Sequence, residues 1–360
     1  MSTMKAAMIT GEGISNIVVA EIERPVPRQG EILVRIHAAS LVALEVHQPT
    51  ILQNPADWKL AKSDAYKGRY PVQTGCDLAG VVVAVGPNCS KLQLGDSVAG
   101  FTRLTTRRGR GGYSEYAIMD ELYTMKMPAY MPFTEATSFG VGYLTSVLAI
   151  NHHMRIPLPP AKVKDADFVL VWGASSSCGL FAVQILKLAG MRVIGTASPR
   201  NHDYVKSLGA EFVVDSNSPS VLTEIKRITG DSPLKWAVDC IGSETALATL
   251  TPGIPTQLAT ISGAPAMLPS PSITHHPVYL GDYIHVPAKK AFLENFVQNV
   301  ANPLLFAGKE PIIIGNRALI LGGLDQVATA FKMSSEGRVS GQKLVVIPGL
   351  TRPESVVAKM

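Results

Sequence analysis

The sequence predicts an α/β protein: a doubly wound parallel sheet joined to a β-barrel-like domain of short strands. Three observations predict it. A Val-rich apolar run at 168–172 passes through a small-residue turn straight into a helical stretch at 180–189. Strand-like and helix-like segments then alternate as far as residue 261. Ahead of them, residues 4–127 read as many short strands punctuated by Gly and Pro.

In chain order, strands are expected at 6–9, 17–22, 31–38, 78–85, 97–101, 114–119 and 123–126. Turn signals separate most of them: Gly11 and Gly13, Pro25 and Pro27, Gly86-Pro87 and Gly95-Asp96. Such spacing favours a strongly bent, barrel-like sheet. A helix is expected from Met131 to about Asn151, then a loop through Pro157, Pro159 and Pro160. The run at 168–172 is apolar throughout, as a strand covered on both faces must be. Strands at 191–197, 211–214, 235–239 and 256–261 alternate with helices at 203–208, 220–228 and 243–250, which implies a parallel sheet. Residues 265–277 hold Pro265, Pro269, Pro271 and Pro277. Proline cannot donate to a ladder, so a loop or a damaged edge is expected there, and with it a monomer rather than an edge-paired dimer. Helices at 292–305 and 325–334 and a strand at 343–347 follow. The last stretch is expected to return to the first domain, giving 1–131 completed by 287–360, and 132–286.

Composition narrows the function. A chain of 360 residues that is 46% hydrophobic and 17% charged has a substantial core and is not largely disordered. A formal charge of +5 tolerates anionic ligands without making a nucleic-acid binder. Cys76, Cys89, Cys178 and Cys240 are scattered with no C-x-x-C, which fits reduced thiols in a cytoplasmic protein better than a disulfide framework or zinc knuckle. The N-terminal residues lack a signal-peptide core, and no apolar run reaches membrane-spanning length.

The turn Gly173-Ala-Ser-Ser-Ser-Cys-Gly179 departs from G-x-G-x-x-G at Ser175. Alone it reads equally as a strand-to-helix turn without a ligand. Between that strand and that helix it reads as a Rossmann-type dinucleotide site. Small residues at Ser175, Ser176, Ser177 and Cys178 let backbone N–H groups approach a pyrophosphate at the helix N-terminus. Where the next strand ends, an NAD site would place Asp or Glu; here stand Ser198, Pro199, Arg200 and Asn201. Hydroxyl, guanidinium and amide groups can hydrogen-bond a 2′-phosphate that a carboxylate would repel, so the expected cofactor is NADPH. The plainer reading of Arg200 is a solvated surface residue.

The chain resembles the medium-chain dehydrogenase/reductase superfamily over nearly its whole length. The resemblance rests on Gly30-Glu-Ile-Leu-Val-Arg-Ile36, Gly75-Cys-Asp-Leu-Ala-Gly80, Val83-Ala-Val-Gly86, Gly95-Asp96, the 173–179 turn and Ser207-Leu-Gly-Ala210. Within it the chain is most similar to fungal trans-acting enoyl reductases of the lovastatin-pathway type, through Asn54-Pro-Ala-Asp-Trp-Lys59, Ser198-Pro-Arg-Asn201 and Ser340-Gly-Gln-Lys-Leu344. The resemblance implies that the barrel-like domain is of the GroES-like kind. Where the zinc-dependent branch carries Gly-His-Glu, this chain has Gly75-Cys76-Asp77, so no metal is expected. Cys76 is then a packing cysteine or a lone thiol ligand. His152-His153 and His275-His276 are read as surface or loop histidines.

The resemblance implies NADPH-dependent reduction of an α,β-unsaturated thioester on the acyl carrier protein of a polyketide synthase. It puts Ala56, Asp57, Trp58 and Lys59 beside the cofactor. Lys59 either orients NADPH or donates a proton, or is a solvated lysine. Asp57 alternatively braces the loop, and Trp58 alternatively belongs to the core. The segment Phe139, Gly140, Val141, Gly142, Tyr143, Leu144, Thr145 and Ser146 matches the start of the family's substrate-lining helix. Thr145 and Ser146 could hydrogen-bond a carbonyl or bond back to their own helix. Further cofactor contacts are implied at Ile261, Ser262, Ser340 and Gly341, and at Ser216, near which relatives often carry Tyr. Two stretches depart from the family. Residues 42–53 form an insert just before Lys59, read as a lid or a gene-model error. Arg103, Arg107, Arg108 and Arg110 crowd one loop, read as a docking site for an acidic carrier protein or as a solvated basic loop. The alternatives in function are a stand-alone quinone or enone reductase and a non-catalytic NADPH-binding scaffold.

Overall fold

The computed structural model describes residues 2–41, 57–62, 66–102, 109–157, 161–164, 167–261, 265, 267–301 and 315–359. Among these, two compact units form. One holds the residues up to Val141 and from His285 onward; the other holds Gly142 to Ile284. No helix among the described residues is long and apolar enough to cross a membrane. The insert at 42–53 and Arg103, Arg107 and Arg108 lie outside the described residues, as do Ala56 and Ser262.

In the first unit, β1 (Thr3–Ile9), β2 (Ile17–Glu23), β4 (Val72–Gln73) and β17 (Val356–Lys359) make one sheet, ordered β17-β2-β1-β4. The second sheet takes β3 (Glu31–Ser40), β5 (Asp77–Val85), β6 (Ser97–Phe101), β7 (Tyr116–Asp120), β8 (Thr124–Lys126), β15 (Ala318–Gly322) and β16 (Lys343–Val346). Its order is β15-β16-β3-β5-β6-β8, with β7 also paired to β3. Irregular register between β3 and β5 bends this sheet around its core. The core includes Ile32, Val34, Leu78, Val98 and Met119, with Val327 and Phe331 of the late helix α10 (Val327–Ser335) and Leu344 of β16. The C-terminal stretch packs in the first unit. Among the described residues this unit also holds the helices α1 (Asp57–Lys62), α2 (Phe133–Ala136) and α9 (Pro287–Asn295).

The second unit is the parallel sheet β11-β10-β9-β12-β13-β14, from β9 (Phe168–Trp172), β10 (Arg192–Ala197), β11 (Phe212–Asp215), β12 (Trp236–Asp239), β13 (Thr256–Thr260) and β14 (Ile273–Pro277). Strand β9 is buried along its whole length. Helix α4 (Ser177–Leu188) packs on β9 and β10; α5 (His202–Ser207), α6 (Val221–Thr229), α7 (Glu244–Ala248) and α8 (Asp282–His285) also lie among the described helices here.

Five expectations need correction. The helix at 131–151 is broken: α2 and a 3₁₀ turn end at Gly140, then α3 (Val141–Val147) runs into a π turn at 148–153. The break has a tertiary cause, because Val141 N donates to the Asp77 carboxylate at 2.7 Å instead of continuing the helix. The proline stretch does form a strand. Pro265, Pro269 and Pro271 precede β14 and Pro277 is its last residue, so the ladder to β13 stands. The strand expected at 123–126 begins at Thr124, after a 3₁₀ turn at Glu121–Tyr123. The histidine pairs are half-buried: the His153 ring meets Tyr283 Oη at 3.0 Å, and His276 sits within β14. Finally, Arg110 is 3% exposed and ion-paired to Glu31 at 2.6 Å and Asp120 at 2.8 Å, so it is a core residue and not part of a basic loop.

Candidate active site

Strand β9 delivers the chain at Trp172 into the 173–179 turn. Gly173 has φ +76°, and a Cβ there would collide with Ile241. Gly179 needs its missing side chain because the turn folds back on itself: a Cβ would overlap the carbonyl of Gly173 and the backbone of Ala174. This is the close helix–strand approach that a dinucleotide turn requires. Ser176 caps α4, its Oγ accepting from Gly179 N at 3.1 Å. Gly173 N and Ala174 N donate to Thr196 Oγ1 and O at 3.0 and 2.8 Å, tying the turn to β10. Ser175 and Ser177 are half-exposed at the positive end of the helix dipole, while Cys178 is buried beneath.

At the end of β10, Ser198 leads into a 3₁₀ turn of Pro199, Arg200 and Asn201. The turn is fixed by the His202 ring, whose Nε2 lies 3.0 Å from Ala197 O. Arg200 is exposed and forms no ion pair among the described residues; Asn201 is buried. On the next strand, Asp215 lies opposite Ala197, and its carboxylate accepts from Asn217 N at 3.0 Å. Ser216 follows β11 and the buried Ile261 follows β13. The second unit thus places Ser175–Cys178, Ser198–Asn201, Ser216 and Ile261 at the carboxyl ends of its parallel strands, where such sheets bind ligands. These residues fit a dinucleotide.

One residue there escaped the sequence reading. Asp239, at the end of β12, is buried and accepts N–H bonds from Ile241, Gly242 and Ser243, each at 2.9 Å. Burial raises its pKa, and the three N–H donors oppose that rise. The turn it builds presents Ile241 to Gly173. A strand-end Asp followed shortly by Gly and Ser was the available signal.

Helix α3 carries Gly142, Tyr143, Leu144, Thr145 and Ser146 in the second unit, where Gly142 comes up against Ser177. The Ser146 hydroxyl points at two carbonyls, Gly142 O at 2.9 Å and Cys178 O at 2.8 Å, so its proton is committed to joining α3 and α4. The Tyr143 ring meets Phe181 edge-on at 5.5 Å, and burial raises its pKa. Thr145 is fully buried, and its Oγ1 has no hydrogen-bond partner among the described residues.

Phe139, Gly140 and Val141 belong to the first unit, as do Asp57, Trp58, Lys59, Ser340 and Gly341. Lys59 lies on α1 with Nζ 5.5 Å from the Trp58 ring centroid, and burial lowers its pKa to about 8. Trp58 packs partly buried against the core, and Asp57 accepts from Tyr113 Oη at 2.7 Å. Ser340 and Gly341 lead into Lys343, whose buried ammonium pairs with Asp77 at 2.5 Å. Burial of Cys76, beside Asp57 and Asp77, raises its thiol pKa, the opposite of what a thiolate ligand needs. Among the described residues no group of three or more His, Cys, Asp or Glu could hold a metal ion.

Residues 28–129 match the alcohol dehydrogenase GroES-like domain, and 178–264 match the family called zinc-binding dehydrogenase. The chain is 31% identical to the trans-enoyl reductase ACTTS2 of Alternaria alternata, over 96% of this chain and 99% of that one. It is likewise 31% identical to the trans-enoyl reductase FSL5 of Gibberella zeae, over 94% and 95%. The solved structure of the CurK enoyl reductase superposes with a TM-score of 0.74 over 95% of this chain and 99% of that one; at 21% identity this is a likeness of fold. With relatives matching it almost end to end, and with the dinucleotide turn in place, the chain belongs to the trans-enoyl reductases of the medium-chain dehydrogenase/reductase superfamily, oxidoreductases that work with a nicotinamide cofactor.

Proposed function

We propose that this chain is an NADPH-dependent enoyl reductase that acts in trans on an α,β-unsaturated thioester borne by the acyl carrier protein of a polyketide synthase. Kinship with trans-enoyl reductases along nearly the whole chain carries the reaction class. The choice of NADPH rests on the end of β10, where Ser198, the exposed Arg200 and Asn201 stand in place of a carboxylate. Ser175, Ser176, Ser177 and Cys178 hold the pyrophosphate at the α4 N-terminus, and Ser198, Arg200 and Asn201 hold the 2′-phosphate. Ser216, Ile261, Ser340 and Gly341 complete the cofactor contacts.

When bound, a nicotinamide would supply the hydride for the β-carbon of the alkene. Negative charge then gathers on the thioester oxygen, and a proton must reach the α-carbon. Lys59 donates that proton, its ammonium being held near its point of half-ionisation. Thr145, the buried hydroxyl without a described partner, donates to the thioester oxygen.

NADPH consumption with crotonyl and longer enoyl thioesters tests the reading. Turnover of thioesters supports it. Turnover of quinones alone makes the chain a stand-alone reductase, and tight NADPH binding without turnover makes it a scaffold. Arg200→Ala is expected to weaken NADPH binding about 10–100-fold while leaving NADH unaffected, the size of losing a hydrogen bond to a charged group. Fluorescence titration of the two coenzymes reads the difference.

A further inference from the structure

We propose that the Tyr113 hydroxyl is the positioning group for Lys59, holding α1 in register through the carboxylate of Asp57. The inference rests on the role given to Lys59 above.

Helix α1 has six residues, too few to be stable by itself. Ala61 lies in the core of the first unit, Trp58 packs against that core, and specific bonds add to this packing. Asp57, its first residue, accepts from Tyr113 Oη at 2.7 Å. Ala61, near its end, accepts from Gly13 N at 3.1 Å, and the helix packs on α10. The Asp57–Tyr113 bond is deeply placed, with Asp57 0% and Tyr113 2% exposed. A carboxylate taken so far from water must be met by donors. The neutral hydroxyl of Tyr113 is one and the thiol of Cys76 another. Burial and the nearby Asp57 charge both raise the pKa of each, so each keeps the proton it donates.

Tyr113 is itself fixed by parts of the unit that do not include α1. Its N–H donates to Thr74 O at 3.1 Å and its carbonyl accepts from Ala7 N at 2.8 Å. Its ring lies edge-on to Phe331 of α10 with centroids 5.9 Å apart. Gly75, at φ +97°, yields the space: a Cβ there would lie 2.9 Å from the Tyr113 ring. The tyrosine is therefore a peg set against β1, the 74–75 backbone and α10, and it holds the first residue of α1, while Trp58 and Ala61 seat the rest of the helix. Lys59 follows Asp57 by two residues, so freeing the carboxylate frees the lysine's stem and admits water around its ammonium. Tyr113 acts through Asp57 and touches no substrate; it is a positioning residue.

Tyr113→Phe keeps the ring and removes only the hydroxyl. Two readouts are taken on the full chain. One is timed acetylation with acetic anhydride between about pH 7 and pH 10.5, with the Lys59 peptide quantified by mass spectrometry. The other is kcat and KM for crotonyl thioester. The expected result is a labelling midpoint that moves from about 8 toward the ordinary lysine value of 10.5, and a kcat about tenfold lower at nearly unchanged KM. An unchanged midpoint in folded Tyr113→Phe overturns the proposal. Should that variant fail to fold, Asp57→Ala is read the same way, since it removes the acceptor of the same bond; an unchanged midpoint there is equally fatal. Lys59→Met separates the two ideas. Full turnover in Lys59→Met refutes the proton-donor role, yet the labelling midpoint still decides whether Tyr113 positions the lysine.

Discussion

Lys59 shows what burial does to a single charge. Its ammonium has lost enough water to bring its pKa from 10.5 to about 8. As a proton donor it must be protonated, so turnover is expected to fall as pH rises through about 8, tenfold per unit beyond it, in a pH–rate profile of kcat. The same shift has a stability consequence of defined sign. The folded pKa lies below the unfolded one, so below about 8 the cost of burying the ammonium is fully present, and it is gone by 10.5. Lys59→Met should therefore raise the urea midpoint at pH 7, and the gain should shrink toward zero by pH 10.5. Nothing local in the sequence separates this lysine from a solvated one; the matching motif around Asn54 singled it out, and tertiary burial gives it its chemistry. Arg110 is the converse case. Its neighbours in sequence suggest a basic loop, while its partners Glu31 and Asp120 lie 79 and 10 residues away and hold it in the core.

At the scale of the element, the 173–179 turn was readable because its requirements are local: an apolar strand, small residues, then a helix. Its tightness makes a sharp test. Gly179→Ala drives a methyl into the Gly173 carbonyl, and is expected to cost about 1–3 kcal/mol of stability by urea denaturation and to weaken coenzyme binding with it. The helix at 131–151 misled because apolar periodicity cannot register a competing long-range bond. Asp77 lies 64 residues before Val141 and takes its N–H, which ends one helix and begins another. The stretch at 265–277 misled for a different reason. Proline is excluded from the interior of a ladder and tolerated at its margins, and here the prolines fall before β14 or at its final residue.

For the molecule as a whole, the fold class and the order of elements could be read because burial on two faces, alternation, and Gly/Pro punctuation each leave a periodic trace. What left no trace was how the C-terminal stretch closes the first unit: β15 and β17, short and partly exposed, were not foreseen. The buried Asp77–Lys343 pair belongs to this scale, since it joins β5 to β16. Asp77→Ala is expected to cost about 3–5 kcal/mol, because an ammonium only 2% exposed is left without its partner. The double change Asp77→Leu with Lys343→Met should recover the part of that loss owed to the stranded ammonium but not the part owed to Val141 N, which loses its acceptor in both variants, and urea midpoints of the three proteins would show it.

That pairing also sets a timetable for biosynthesis. Asp77 leaves the ribosome 266 residues ahead of Lys343, an interval of roughly 13–53 s at ordinary elongation rates. The parallel-sheet unit, continuous from 142 to 284 among the described residues, is complete in the meantime. The first half of the barrel-like unit must wait with raw strand edges and a carboxylate still in water, open to chaperones and to misassociation, until the tail of the chain arrives to close it.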